Sequence, residues 1–193
     1  DTAAVTITKQ GGGTFSEAEV EALIEAIQYR HVDADTPSDG NRTVAITVND
    51  GALASAVSTT TINVNPVNDA PTFDLDADDS GGTGGNNYAF TFTEGGGAIS
   101  IADTDSNLVD VDNTTFTSVS LAWAVVTDGD SEKMILDGST FSLGSTIAAT
   151  NTTGNAYTVT VTADTGADTA AVTITRQGGG TFSAAEVESL IEA

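Results

Sequence analysis

The sequence predicts a mainly β chain: a β-sandwich repeat with one short amphipathic helix inserted. Three observations lead there. Short runs of alternating apolar and polar residues recur along the chain, divided by Gly, Asn and Asp turns, as in a sandwich rather than an α/β fold. Residues 1–26 return almost unchanged as residues 168–193, an offset of 167, with differences only at Lys9/Arg176, Glu17/Ala184 and Ala22/Ser189. Each copy carries one apolar stripe at helical spacing. Such close internal identity marks a tandem array, in which one structural unit recurs and neighbours stack in line.

Taken in order, Ala3–Thr8 alternates as a strand and Gly11, Gly12 and Gly13 end it. Ser16 and Glu19 form a capping box, Phe15 can staple onto Val20, and Val20, Leu23, Ile24 and Ile27 predict a helix over 17–30. Ser183, Glu186, Val187, Leu190 and Ile191 repeat the device. His31 falls at the helix end, where the carbonyls it can meet make it a capping group rather than a base. Thr43–Val48 and Val57–Val64 read as strands around a hairpin turn at Asn49, Asp50 and Gly51. Residues 65–71 (NPVNDAP) form an extended connector, because proline interrupts strand pairing. Further strands are expected at 72–75, 88–93, 99–102, 116–126, 134–136, 140–143, 157–163 and 170–175. Phe90, Phe92, Leu121 and Trp123 are the expected core, and Asp74 and Asp76, alternating with Phe73 and Leu75, are expected to face solvent. The glycine-rich 81–87 is expected to be a flexible loop.

Composition narrows the partners. The 28 acidic and 5 basic side chains give a formal charge of −23, while 39% of residues are hydrophobic. Such a chain folds, but its carboxylates repel unless cations screen or bind them. Nucleic acid and anionic membrane both call for clustered Lys and Arg and are poor partners for such a chain, so neither nucleic-acid binding nor membrane insertion is expected. Calcium fits, as a hard cation that gathers several carboxylate and carbonyl oxygens. There is no cysteine, which removes disulfides and thiolate metal sites. No apolar run reaches the length of a membrane helix. No catalytic constellation is present, and the chain is expected not to be an enzyme.

Four stretches resemble a known family: residues 48–76, containing VNDG and NVNPVNDAP; residues 92–112, beginning FTEGGG and containing ADTD; the helix leading into 27–51; and the repeat period. They are similar to the cadherin-like repeats of giant bacterial surface adhesins, a group that includes RTX and biofilm-associated adhesins. The resemblance implies an Ig/cadherin-like sandwich, with 1–69 the C-terminal part of one repeat and 70–193 the N-terminal and central part of the next. It implies calcium held between successive modules: Asn68 and Asp69 correspond to the linker, Glu94 to the early Glu, and Asp103 with Asp105 to the Asp-x-Asp. The connector is shorter than the animal pattern by about one residue, and Gly95, Gly96 and Gly97 replace the segment after the Glu.

Chemistry points the same way. Alternate carboxylates at Asp103 and Asp105 can converge on one ion where the backbone leaves β geometry, and an ion needing six to eight oxygens must pool distant segments. Asp33 and Asp35 with Asp39, Asp110 with Asp112, and Asp128 with Asp130 are further candidate groups; turn capping is the alternative for each. The expected function is a calcium-stiffened extender module of a secreted or cell-surface adhesin, extracellular, with neighbouring repeats as partners. The other expectation is a glycan- or peptide-binding β-sandwich module. The permuted order adds one more: if 70–193 lacks its last two strands, 27–69 of another copy completes it, giving a head-to-tail homo-oligomer that propagates as a filament.

Overall fold

A computed structural model describes residues 2–33, 35–154 and 156–192. The chain is mainly β, with two short helices and several small antiparallel sheets, and it divides into two units, Asp1–Val67 and Asn68–Ala193. Among the described residues no helix is long and apolar enough to cross a membrane.

The first unit contains helix α1 (Glu17–Ala26) and an antiparallel hairpin of β1 (Gly40–Ile46) and β2 (Ser58–Val64). The capping box forms as expected: the Glu19 N–H donates to Ser16 Oγ at 3.3 Å, and the Ser16 N–H donates to Glu19 Oε2 at 2.8 Å. Lys9 Nζ reaches the same carboxylate at 2.8 Å. That ammonium, with the Ser16 N–H and hydroxyl after it, holds the Glu19 carboxyl at about 2. The helix ends at Ala26, short of the expected 30, with Ile27 already extended. None of the described residues of this unit is buried.

The second unit holds the core. Its main sheet has the order β6 (Val119–Ala124), β11 (Thr169–Arg176), β10 (Tyr157–Asp164), β9 (Ile147–Asn151), all antiparallel. Alternation puts Val159 and Val161 of β10 and Ala170, Val172 and Ile174 of β11 on one buried face. Against them pack Met134 and Leu136 of β7 (Lys133–Leu136), Phe141 of β8 (Ser139–Ser142), Phe182, and Val187, Leu190 and Ile191 of α2 (Ala184–Ile191). Two ribbons complete the unit: β3 (Thr72–Asp74) with β4 (Asn107–Val109), and β5 (Thr115–Phe116) with β12 (Phe182–Ser183).

The two copies of one sequence meet different fates. Residues 168–176 carry β11, the most enclosed strand, whereas residues 2–9 form no strand, contrary to the sequence expectation. Ile174 is 1% exposed and its counterpart Ile7 is 47% exposed. Strand formation needs a ladder on at least one side; β10 and β6 supply two for β11, and residues 2–9 have none. The capping box, being local, forms in both copies.

Other expectations are also corrected. Residues 88–93 and 99–102 alternate like strands but pair with nothing, and Phe90 and Phe92 are exposed rather than core, at 46% and 62%. Glycines at 84, 85, 95, 96 and 97 flank this stretch and favour turns over a ladder. Leu121 and Trp123 are half-buried against the core.

Candidate metal centre

Just past the end of β3 the sequence reads Asp74-Leu75-Asp76-Ala77-Asp78-Asp79-Ser80-Gly81. Regular β pairing stops at Asp74, and the chain folds into two tight turns: the Asp79 N–H donates to the Asp76 carbonyl at 3.1 Å, and the Gly82 N–H to the Asp79 carbonyl at 3.1 Å. Asp79 adopts a positive φ of 56°, which aspartate tolerates better than most side chains. The turn swings Asp76 inward, so it is fully buried rather than solvated, a correction to the alternation argument. Its Oδ2 accepts from the Gly81 N–H at 2.7 Å and its Oδ1 from the Ser80 N–H at 3.0 Å.

The second contribution comes from the loop before β4. The Asp103 N–H donates to the Leu75 carbonyl at 2.8 Å, tying this loop to the first. Helix α2 and its C-cap residue fix its other side: the Leu108 N–H donates to Glu188 Oε1 of the helix at 2.8 Å, and Ser106 Oγ to Oε1 of the C-cap Glu192 at 2.7 Å. Held from both sides, Asp105 receives the Asp78 N–H on Oδ2 at 2.9 Å. Asp76, Asp78 and Asp105 each offer an oxygen, and these lie within 4.8 Å of one another. Asp103 stands beside them, its Oδ2 accepting from Ser80 Oγ at 2.9 Å, while that hydroxyl also approaches Asp76 Oδ1 at 3.4 Å.

The electrostatics are unfavourable without a counter-charge. Burial pushes the Asp105 carboxyl above the ordinary aspartate range, and the charges of Asp78, Asp103 and Asp76 add to this. Among the described residues the ion pairs are Lys9–Glu19 and Arg176–Glu186, so no basic side chain pairs with the cluster. Asp105 Oδ1 is shut from solvent with no hydrogen-bond partner. An all-oxygen donor set, clustered negative charge and an orphaned buried oxygen fit a hard divalent cation, and calcium accepts such sets with water filling the remaining positions.

Of the residues expected from sequence, Asp105 enters this cluster and Asp103 adjoins it. Asn68 and Asp69 lie elsewhere, on the turn at 110–113: Asn113 Nδ2 donates to Asn68 Oδ1 at 2.7 Å, and the Asp69 N–H to Asp112 Oδ2 at 2.5 Å. Asp110 caps that turn through the Asp112 and Asn113 N–H groups, which hold its carboxyl low. Glu94 sits exposed in a turn, outside the cluster. Asp33 accepts from the N–H groups of Asp35 and Thr36, a local turn cap, and Asp35 is exposed. Asp130 accepts the hydroxyls of Ser142 and Ser145.

Sequence reasoning missed Asp76 and Asp78. The available signal was three acids at alternate positions, 74, 76 and 78, followed by Ser80-Gly81, a pattern better suited to a liganding turn than to a strand that continues. Comparison of the chain with protein-family models, with curated proteins and with solved structures finds no match.

Proposed function

We propose that this chain is a calcium-stiffened extender module of a secreted or cell-surface adhesin, built as a β-sandwich repeat that joins its neighbours in line. The observation that carries the reading is the convergence of Asp76, Asp78 and Asp105, with one carboxylate oxygen buried and unpartnered. Asp76 follows β3, directly after the connector, and Asp105 precedes β4. A cation held by these residues joins the first loop after the connector to the loop braced by α2. Neutralising the cluster removes the repulsion that otherwise loosens both loops. The 167-residue repeat supports the extender role, since arrays of near-identical modules supply length rather than a unique pocket.

Thermal melting with calcium and with chelator tests the reading. A cation that binds only the folded state raises the midpoint with concentration, by about 2.7 kcal/mol of stability at a hundredfold excess over Kd. A midpoint that moves by less than about a degree between millimolar calcium and excess chelator rejects it.

One observation favours a glycan- or peptide-binding module instead. Tyr88 and Phe90 lie with ring centroids 5.9 Å apart, and Phe90 and Phe92 are exposed. Aromatic faces of this kind stack on sugars and peptides. Binding to a glycan array that is lost on Phe92→Ala would favour this reading over the first.

A further inference from the structure

We propose that residues 3–24 are a second occupant for the place that residues 170–191 hold in the Asn68–Ala193 unit: where β11 and α2 leave it, the first copy of their sequence seats between β10 and β6 and closes the core again. The site is a slot in a sheet, and its ligand is a strand, turn and helix of this chain's own sequence.

The slot is defined by its present occupant. Strand β11 bonds along its length to β10 on one side and to β6 on the other, and α2 packs on the same core. Every buried apolar residue that residues 170–191 contribute has an identical counterpart 167 positions earlier: Val172 matches Val5, Ile174 matches Ile7, Phe182 matches Phe15, Val187 matches Val20 and Leu190 matches Leu23. The three positions that differ are Arg176 and Ala184, which are half-buried, and Ser189, which is exposed. No difference between the copies therefore falls where the slot is tightly packed.

The polar contacts are kept as well. Glu188 and Glu192, which receive the Leu108 N–H and the Ser106 hydroxyl, correspond to Glu21 and Glu25, both exposed. The first copy also holds the same local shape. Gly11, Gly12 and Gly13 have φ of 81°, 84° and 97°, against 76°, 86° and 114° for Gly178, Gly179 and Gly180. Lys9 pairs with Glu19 as Arg176 pairs with Glu186, and each cation lies over the matching ring, at 5.7 Å from Phe15 and 5.8 Å from Phe182. The strand alone is unformed, with Val5 85% exposed, because a strand needs a ladder and the slot supplies two.

The resident copy has one advantage. A short turn after Asp164 ties β11 to β10, and a segment that arrives without this tether pays more loop-closure entropy. Truncating a single side chain of β11 does not dislodge it, whereas two charges on its buried face do. The inference rests on sequence identity and on the place of β11, and holds whether or not a cation binds.

Urea unfolding of the full chain in chelator, followed through Trp123, tests it, since this lone tryptophan stands opposite Ala170 in the slot wall. Val172→Asp/Ile174→Asp should keep a cooperative transition at a lowered midpoint, because the first copy takes the slot. Val5→Asp/Ile7→Asp should leave the midpoint unchanged, and all four substitutions together should abolish the transition. Thr6 corresponds to Thr173, the partner of Ser120, and the chain has no cysteine of its own. In the Val172→Asp/Ile174→Asp background, Ser120→Cys with Thr6→Cys should therefore form a disulfide, and Thr14→Cys in place of Thr6→Cys should not. A cross-link within one chain identifies the occupant as the chain's own first copy, and one between chains as that of a second copy. Loss of the transition in Val172→Asp/Ile174→Asp, a fourfold variant that unfolds like it, or equal cross-linking from positions 6 and 14 would each overturn the proposal.

Discussion

The Gly81 N–H donates to Asp76 Oδ2 at 2.7 Å, and a Cβ on residue 81 would itself stand 2.7 Å from that same oxygen and 3.0 Å from the Tyr88 ring. Residue 81 therefore has to be glycine for the turn to close on the buried carboxylate. Gly81→Ala should push Asp76 out of place, costing about 1–3 kcal/mol as other overpacking changes do. Urea unfolding with and without calcium should show both a lower midpoint and a smaller calcium response.

Asp105→Asn should change stability in opposite directions in two buffers. The folded-state pKa of Asp105 is raised, so its ionised form weakens the fold above that pKa, and the penalty vanishes only below the unfolded value. At neutral pH in chelator, asparagine removes the penalty and the melting temperature should rise. In millimolar calcium the same change removes a ligand and the melting temperature should fall relative to the unaltered chain. Identical shifts in both buffers would show that Asp105 does not meet a cation.

Asp130 should contribute to acid sensitivity. The Ser142 hydroxyl first, then the Ser145 hydroxyl, hold its carboxyl below the ordinary range. A depressed folded pKa gives stability that is present above the unfolded value and lost as pH falls through the folded one. Asp130→Asn should be less stable at pH 7 and lose less than the unaltered chain on titration from pH 5 toward pH 2. Denaturant midpoints across that range provide the check.

The two copies of the repeated segment offer an internal control. Ile174→Ala opens a cavity in a packed face and should cost about 3 kcal/mol. Ile7→Ala, the same change at the matching position, should stay within about 0.5 kcal/mol, as exposed substitutions do. Equal effects would show that residues 2–9 are packed in solution as β11 is.

What could be read from sequence follows from how local each feature is. The capping boxes at Ser16 and Ser183 depend on four residues each and form as expected in both copies. The β10–β11 ribbon is legible because its alternation and its turn agree. Phe90 and Phe92 were not legible: alternation states which side chains share a face, and only a partner strand decides whether that face is covered. Asp105 was legible as half of an Asp-x-Asp. Asp76 was hidden by the expectation that a strand runs one residue further than it does. The attachment of Asn68 and Asp69 to Asp112 and Asn113 joins positions more than forty residues apart and leaves no local mark.

The near-identity of residues 1–26 and 168–193 also bears on heredity. Where the coding stretches are as alike as the residues they encode, they can misalign during replication or recombination, and such a slip deletes or inserts one 167-residue unit while preserving the reading frame. Every junction left behind has the same sequence as before, so the number of 167-residue units can change without a new junction sequence having to arise.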